Sequence, residues 1–109
     1  MSGLTLADFK KCELRTAKIL AVDAIEGADR LWRLLIELGA EKKQIVAGIK
    51  KAYPDKQTLV GKTVVVVHNL EPATIRGVES QGMLLAAKDA ENMALLILDK
   101  ELPSGSLVG

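Results

Sequence analysis

The sequence predicts an all-β fold, a small five-stranded barrel with short helical turns and an extended C-terminal segment. Three features predict it. Apolar residues recur with a period of two, most clearly in Trp32, Leu34, Ile36 and Leu38, the pattern of a strand with one buried face. Every apolar run is short and is stopped by turn formers such as Gly27, Gly39, Pro54, Asp55 and Gly61. No amphipathic helix long enough to join parallel strands lies between them, which excludes the alternating α/β classes.

A chain of 109 residues, 49% hydrophobic, is sized for one domain with one core, so residues 1–109 are read as a single unit. "TLADFKK" places Thr5 three residues before Asp8, a capping pair for one helical turn whose Leu6 and Phe9 would pack across the barrel's end. From Cys12 the pattern alternates, with Cys12 and Leu14 inward, until the apolar phase slips to Ile19 and Ala21. That slip predicts a β-bulge at Thr16 to Lys18, bending a long first strand round a corner.

"IEGADRL" then reads as a loop, "LWRLLIELG" as a half-buried strand with Arg33 and Glu37 outward, and "QIVAGI" as the third strand. "KKAYPDKQTLVGK" is a non-strand insertion with a short helical excursion, closed by Gly61. "TVVVVHNL" is β-branched enough for a central strand, and "GMLLAA" and "ALLILD" supply two more around the polar "KDAEN". A bulged first strand followed by an insertion between the third and fourth strands points to the OB architecture. Its strand faces and loops bind oligonucleotides or oligosaccharides.

Composition removes several functions. The apolar stretches are far below the ~18 residues of a membrane-spanning helix, and no charged-then-apolar leader opens the sequence, so no membrane partner and no export are expected. A single cysteine, Cys12, fits a reducing compartment, which makes the cytoplasm the expected location. One Cys and one His, His68, give no ordinary metal-ligand set, and "GVESQG" lacks the spacing and the lysine of a phosphate loop. No nucleophile sits beside a visible base. The expectation is a non-catalytic module without cofactor or metal.

The net charge of +1 hides a polarity along the chain. Lys10 to Lys62 hold twelve of the fifteen cations against seven of the fourteen acids, whereas the stretch after Lys62 has three cations and six acids. A basic face of this kind suits a polyanion. Phe9, Trp32 and Tyr53 are all the aromatic rings, too few to stack successive bases of a single strand. An RNA ligand is therefore expected to be folded RNA, held by phosphate contacts and shape.

The segments "FKKCELRTAKI", "GADRLWRLLIELG", "QIVAGIKKAY", "LVGKTVVVVHNLEPATIRGVESQGMLLAA" and "LPSGSLVG" resemble the tRNA-binding domain at the C-terminus of methionyl-tRNA synthetases. Similar domains form free-standing dimeric tRNA-binding proteins, the endothelial monocyte-activating polypeptide domain and part of some tyrosyl-tRNA synthetases. The resemblance runs from Phe9 to Val108 in unbroken motif order. It implies an OB fold, a homodimer sealed by the C-terminal segment, and tRNA bound by shape with little sequence discrimination. It also implies service to an aminoacyl-tRNA synthetase catalytic chain, as a separate subunit or as an appendage.

The family's "LRxGKI" falls on Leu14, Arg15, Lys18 and Ile19, with Ala17 where Gly is usual, and its "QIVxGI" falls on Gln44, Ile45, Val46, Gly48 and Ile49. Its "NLxPxxxRGxxSxGM" is carried by Asn69, Leu70, Pro72, Arg76, Gly77, Ser80, Gly82 and Met83. The resemblance thus implies tRNA contacts at Arg15, Lys18, Lys50, Lys51, Asn69, Arg76, Ser80, Gln81 and Met83. Cations would meet phosphates, Ser80 and Gln81 would bond the backbone or a base edge, and Met83 would lie against a base or ribose.

The stretch around Arg76 is then a binding loop on the barrel rim. Glu71 and Thr74 stand where relatives often carry lysines, which implies weaker attraction. A competing reading pairs Arg76 with Glu79 and buries Met83 in the core. Two other functions of such a fold stay open: peptide binding by an export-related chaperone, and an OB module for another structured RNA or an oligosaccharide.

Overall fold

The computed structural model describes residues 3–109. Thr5 caps the single turn α1 (Leu6–Phe9), its Oγ1 accepting the Asp8 N–H at 3.1 Å. The cap is as expected, but the turn does not cover the barrel's end: Leu6 is 67% and Phe9 40% exposed. Cys12 follows in the turn that ends the helix, its N–H donating to the Phe9 carbonyl, and is exposed rather than inward. The first strand, β1 (Leu14–Ile25), begins only two residues later.

β1 divides its length between two long partners. Leu14 to Lys18 pair with β4 (Thr63–Val67), and Lys18 to Ile25 pair with β2 (Ala28–Leu38). The strand stays regular through Thr16 to Lys18, and the bulge comes after the handover, at Leu20, between the paired residues Ile19 and Ala21. Ala17 and Ile19 point inward before it and Val22 after it, so the extra residue corrects the phase of the apolar pattern. Ala17 lies in regular ladder opposite Val64, without a left-handed backbone, so the usual Gly is not required there.

β2 turns at Gly39, φ +63, into β3 (Glu41–Ala47), with Trp32, Leu34, Ile36 and Leu38 buried as the alternation predicts. The insertion forms one 3₁₀ turn, Lys56–Thr58, capped by the Asp55 carboxylate and followed by the fully buried Leu59. Four valines of β4, Val64 to Val67, are buried on both faces, as a central strand requires.

The stretch expected to be a rim loop is instead a hairpin of β5 (Ala73–Ile75) and β6 (Val78–Ser80). Its turn residues Arg76 and Gly77 both have positive φ, 52° and 78°, the two-residue turn whose twist matches that of paired strands. β7 (Met83–Leu84) pairs with β4, and β8 (Ala86–Lys88) with β9 (Met93–Leu95). β10 (Leu107–Val108) pairs with the start of β1.

The main sheet runs β3-β2-β1-β4-β7 with β10 beside β1, so the fold is all-β but the barrel is not closed by a backbone ladder. Between its edges β3 and β7 lies a seam made largely by side chains. Residues 80 and 81 bond to β3, the chain passes Gly82, and Met83 pairs with Val67 of β4. Gly82 is fixed there by contact, because a Cβ would meet the Val67 carbonyl oxygen at 2.9 Å.

Candidate nucleic-acid interface

Packing, rather than sequence proximity, gathers the cations. Val78 of β6 packs with Leu31 against the small cluster of Ile25, Ala28 and Val46, which docks the β5–β6 hairpin onto the β1–β2 turn. Arg76, at the hairpin tip, thereby comes to share a cavity of about 330 Å³ with Arg30 and the turn residues Gly27 to Asp29. The Arg30 carbonyl accepts the Lys50 N–H at 3.2 Å, so the segment after β3 abuts the same turn. The Lys50 ammonium lies 4.6 Å from the centre of the Trp32 ring, a cation–π contact that orients it without neutralising it.

Lys51 and Lys88 line a second cavity, about 290 Å³, together with Asp89, Glu91 and Met93. An adjoining groove of similar size is floored by Val46, Ile49 and Leu84 and edged by Met83, Met93 and Lys88. Met83 is 47% exposed, which rejects a core role for it. Among the described residues none of Arg30, Lys50, Lys51, Arg76 and Lys88 has a carboxylate within 4.0 Å, so the Arg76–Glu79 pairing is absent too. Of the acids nearby, Asp89 is engaged by its own turn. Its Oδ1 accepts the N–H groups of Glu91 and Asn92 at 2.9 and 2.7 Å, which holds its pKa below the usual carboxylate value.

Of the other expected contact residues, all but Lys18 are committed to the fold. Arg15 donates from Nε to Glu13 at 2.7 Å and from Nη1 to the Gly105 carbonyl at 3.0 Å. Asn69 ties down the entry to β1, accepting the Glu13 N–H and donating to the Lys11 carbonyl. Lys18 is exposed but lines a separate cavity of about 530 Å³ with Glu37, Thr63 and the segment from Glu101 to Ser104. Ser80 is 3% exposed, its Oγ accepting the Val46 N–H at 2.9 Å and donating to the Gly82 carbonyl. Gln81 accepts the Gln44 N–H on Oε1 at 2.9 Å.

The structure therefore places Arg76 with Arg30, Lys51 with Lys88 beside Met83, and the Lys50 backbone against Arg30. Arg30 lies within "GADRLWRLLIELG", where the alternation of Trp32 and Leu34 marks the strand and not its mouth. Lys88 is one of three cations in the acidic half of the sequence, and the β8–β9 hairpin places it at the cavity that Lys51 also lines.

The family model described as "Putative tRNA binding domain" matches residues 14–107. The chain belongs to this tRNA-binding domain family. It is 49% identical over 107 residues to the methionine–tRNA ligase of Thermotoga maritima, a match covering 98% of this chain and 17% of that protein. A similar backbone is found in the crystal structure of a MetRS-related protein from Pyrococcus horikoshii, at 31% identity, a TM-score of 0.93 and full coverage of both chains. The chaperone CsaA of Bacillus anthracis is also similar, at 27% identity and a TM-score of 0.89 over 99% of this chain and all of that one. The chain thus spans about a sixth of the length of the ligase it matches. No helix among the described residues is long and apolar enough to cross a membrane.

Proposed function

We propose that this chain is a non-catalytic tRNA-binding module that grips the shape and phosphate backbone of folded tRNA and supplies it to a methionyl-tRNA synthetase, as subunit or appendage, in the cytoplasm. The observation that carries this reading is that Arg30 and Arg76 share one cavity and Lys51 and Lys88 another, the second beside the groove edged by Met83, with no ion pair to these cations among the described residues. Cations left without carboxylate partners, with no row of aromatic rings, suit backbone recognition of a folded polyanion.

The chain acts as a homodimer in this proposal, because Leu102 and Leu107 leave 52% and 72% of their surface exposed on the C-terminal segment. Sedimentation at micromolar concentration then gives twice the monomer mass; a monomer would rule the dimer out.

Similarity to a chaperone keeps one second reading alive, in which the Met83 groove takes an apolar peptide side chain. One comparison separates the two. Affinities for unfractionated tRNA, an unrelated structured RNA and an unfolded peptide are measured at two salt concentrations. The proposal expects tRNA to bind best, with log affinity falling by roughly 0.7–0.9 per phosphate contact for each decade of salt. Tighter, salt-insensitive binding of the peptide would overturn it.

A further inference from the structure

Ser80 and Gln81 stand in the middle of the motif assigned to tRNA contact, yet Ser80 Oγ and Gln81 Oε1 bond to the backbone of β3. The Gln44 backbone is held twice, its N–H by Gln81 Oε1 at 2.9 Å and its carbonyl by the Gln81 N–H at 2.8 Å. The Gln44 side chain reaches back, Nε2 donating to the Glu79 carbonyl at 2.9 Å, and Ser80 Oγ takes the Val46 N–H at 2.9 Å. These bonds replace the strand ladder that is missing between β3 and the β5–β6 hairpin.

We infer that Gln44, Ser80 and Gln81 are positioning residues: they form a polar clasp that fixes Arg76 and Met83, on either side of it, relative to the cations behind β3. The inference rests on the proposed tRNA reading for its consequence and on the hydrogen bonds for its mechanism. Arg76 lies four residues before Ser80 and Met83 two residues after Gln81, so a single rigid segment sets both. An open clasp leaves the hairpin attached mainly through Val78 and lets Arg76 swing away from Arg30. Affinity then falls in proportion to the closed fraction, without any lost contact to RNA.

The test compares Gln81→Leu, Gln81→Glu and Ser80→Ala with the unaltered chain. Gln81→Glu keeps an acceptor oxygen for the Gln44 N–H but places a negative charge where an RNA contact would sit. Hydrogen exchange is followed at the Gln44 and Val46 amides without RNA, and tRNA affinity is measured across salt concentrations. The clasp predicts faster exchange at Gln44 in Gln81→Leu and at Val46 in Ser80→Ala, with affinity lowered about fivefold and the salt slope unchanged. Gln81→Glu restores slow exchange at Gln44 and, at the higher salt concentrations where its added charge is screened, most of the affinity.

The inference is overturned if, at the higher salt concentrations where charge repulsion is screened, Gln81→Glu still binds tRNA as poorly as Gln81→Leu while its exchange is normal, because Gln81 then touches the RNA. It is equally overturned if the leucine and alanine variants exchange faster yet bind normally. Failure of the unaltered chain to bind tRNA would instead refute the proposed function, with the amide exchange still deciding whether the clasp exists.

Discussion

Arg15 and Arg76 both stand in motifs whose resemblance implies tRNA contact, yet the structure uses them in opposite ways. Arg15 holds two partners of its own chain, the Glu13 carboxylate and the Gly105 carbonyl, and Arg76 holds none among the described ion pairs. The backbone around each accounts for the difference. The C-terminal segment from Pro103 to Ser106 runs past β1, where its carbonyls and N–H groups are met by the Arg15 and Thr16 side chains and the Thr16 backbone, while Ser104 Oγ accepts the Gly39 N–H. At the other end the β5–β6 and β8–β9 hairpins satisfy their own backbones, leaving Arg76 and Lys88 free. One end uses charge for architecture; the other displays it.

The sharpest way to break this division is at Gly105, where the segment touches the β2–β3 turn. Gly105 has φ +83, and a Cβ there would stand 2.7 Å from the Gly39 nitrogen and 3.0 Å from the Leu38 carbonyl carbon. Neither neighbour is a movable side-chain tip. Gly105→Ala should lower unfolding stability by about 2–4 kcal/mol, through backbone strain and overpacking together. Chemical denaturation measures it, and tRNA affinity well below the denaturation midpoint should change little per folded monomer. A loss of under ~1 kcal/mol would show that the segment is not anchored as described.

Next in size is the arginine pair itself. Arg15→Ala removes one charge-assisted bond and one bond to a carbonyl; since the side chain is about a third exposed, the expected cost is about 1 kcal/mol of stability. Arg76→Asn should act with the opposite sign on the fold. Arginine occupies a left-handed turn position that Asn adopts more readily, and Asn-Gly is the preferred pair for this turn, so stability should rise by about 0.5 kcal/mol. Affinity for tRNA should nevertheless fall and the salt slope flatten by about 0.7–0.9. If Arg15→Ala flattens the slope and Arg76→Asn does not, the contact surface has been assigned to the wrong end.

The arginine pair also shows what could be read from sequence. The strands were legible where burial is one-sided or complete, as in Trp32 to Leu38 and Val64 to Val67, because residue periodicity records burial directly. The Leu20 bulge was placed too early, since its position depends on where β1 passes from β4 to β2, a long-range event. Cys12 was assigned inward by extending an alternation into a segment that a helical turn had already ended. The motif around Arg76 was recognised, but sequence cannot say whether Ser80 points out to a ligand or in to Val46. That choice is made by the absence of a ladder between β3 and β7.

The smallest effect lies in the pH dependence of the architectural end. The Glu13 carboxylate receives the Arg15 side-chain hydrogen bond, and the charges of Arg15, His68 and Lys43 add to it, outweighing desolvation, so its pKa lies below the ordinary 4.5. A carboxyl with a lowered folded-state pKa binds fewer protons folded than unfolded between the two values, so stability rises with pH in that window. Its contribution is therefore complete above about pH 4.5 and is lost as pH falls through the lower folded value. Denaturation midpoints of the unaltered chain and Glu13→Gln should run parallel from neutral pH down to about 5 and converge below it. Arg15→Ala, which removes the principal cause, should show the same flattened acid limb. If Glu13→Gln follows the unaltered chain at every pH, the Glu13–Arg15 bond is not populated in solution, and Arg15 becomes free to face a phosphate after all.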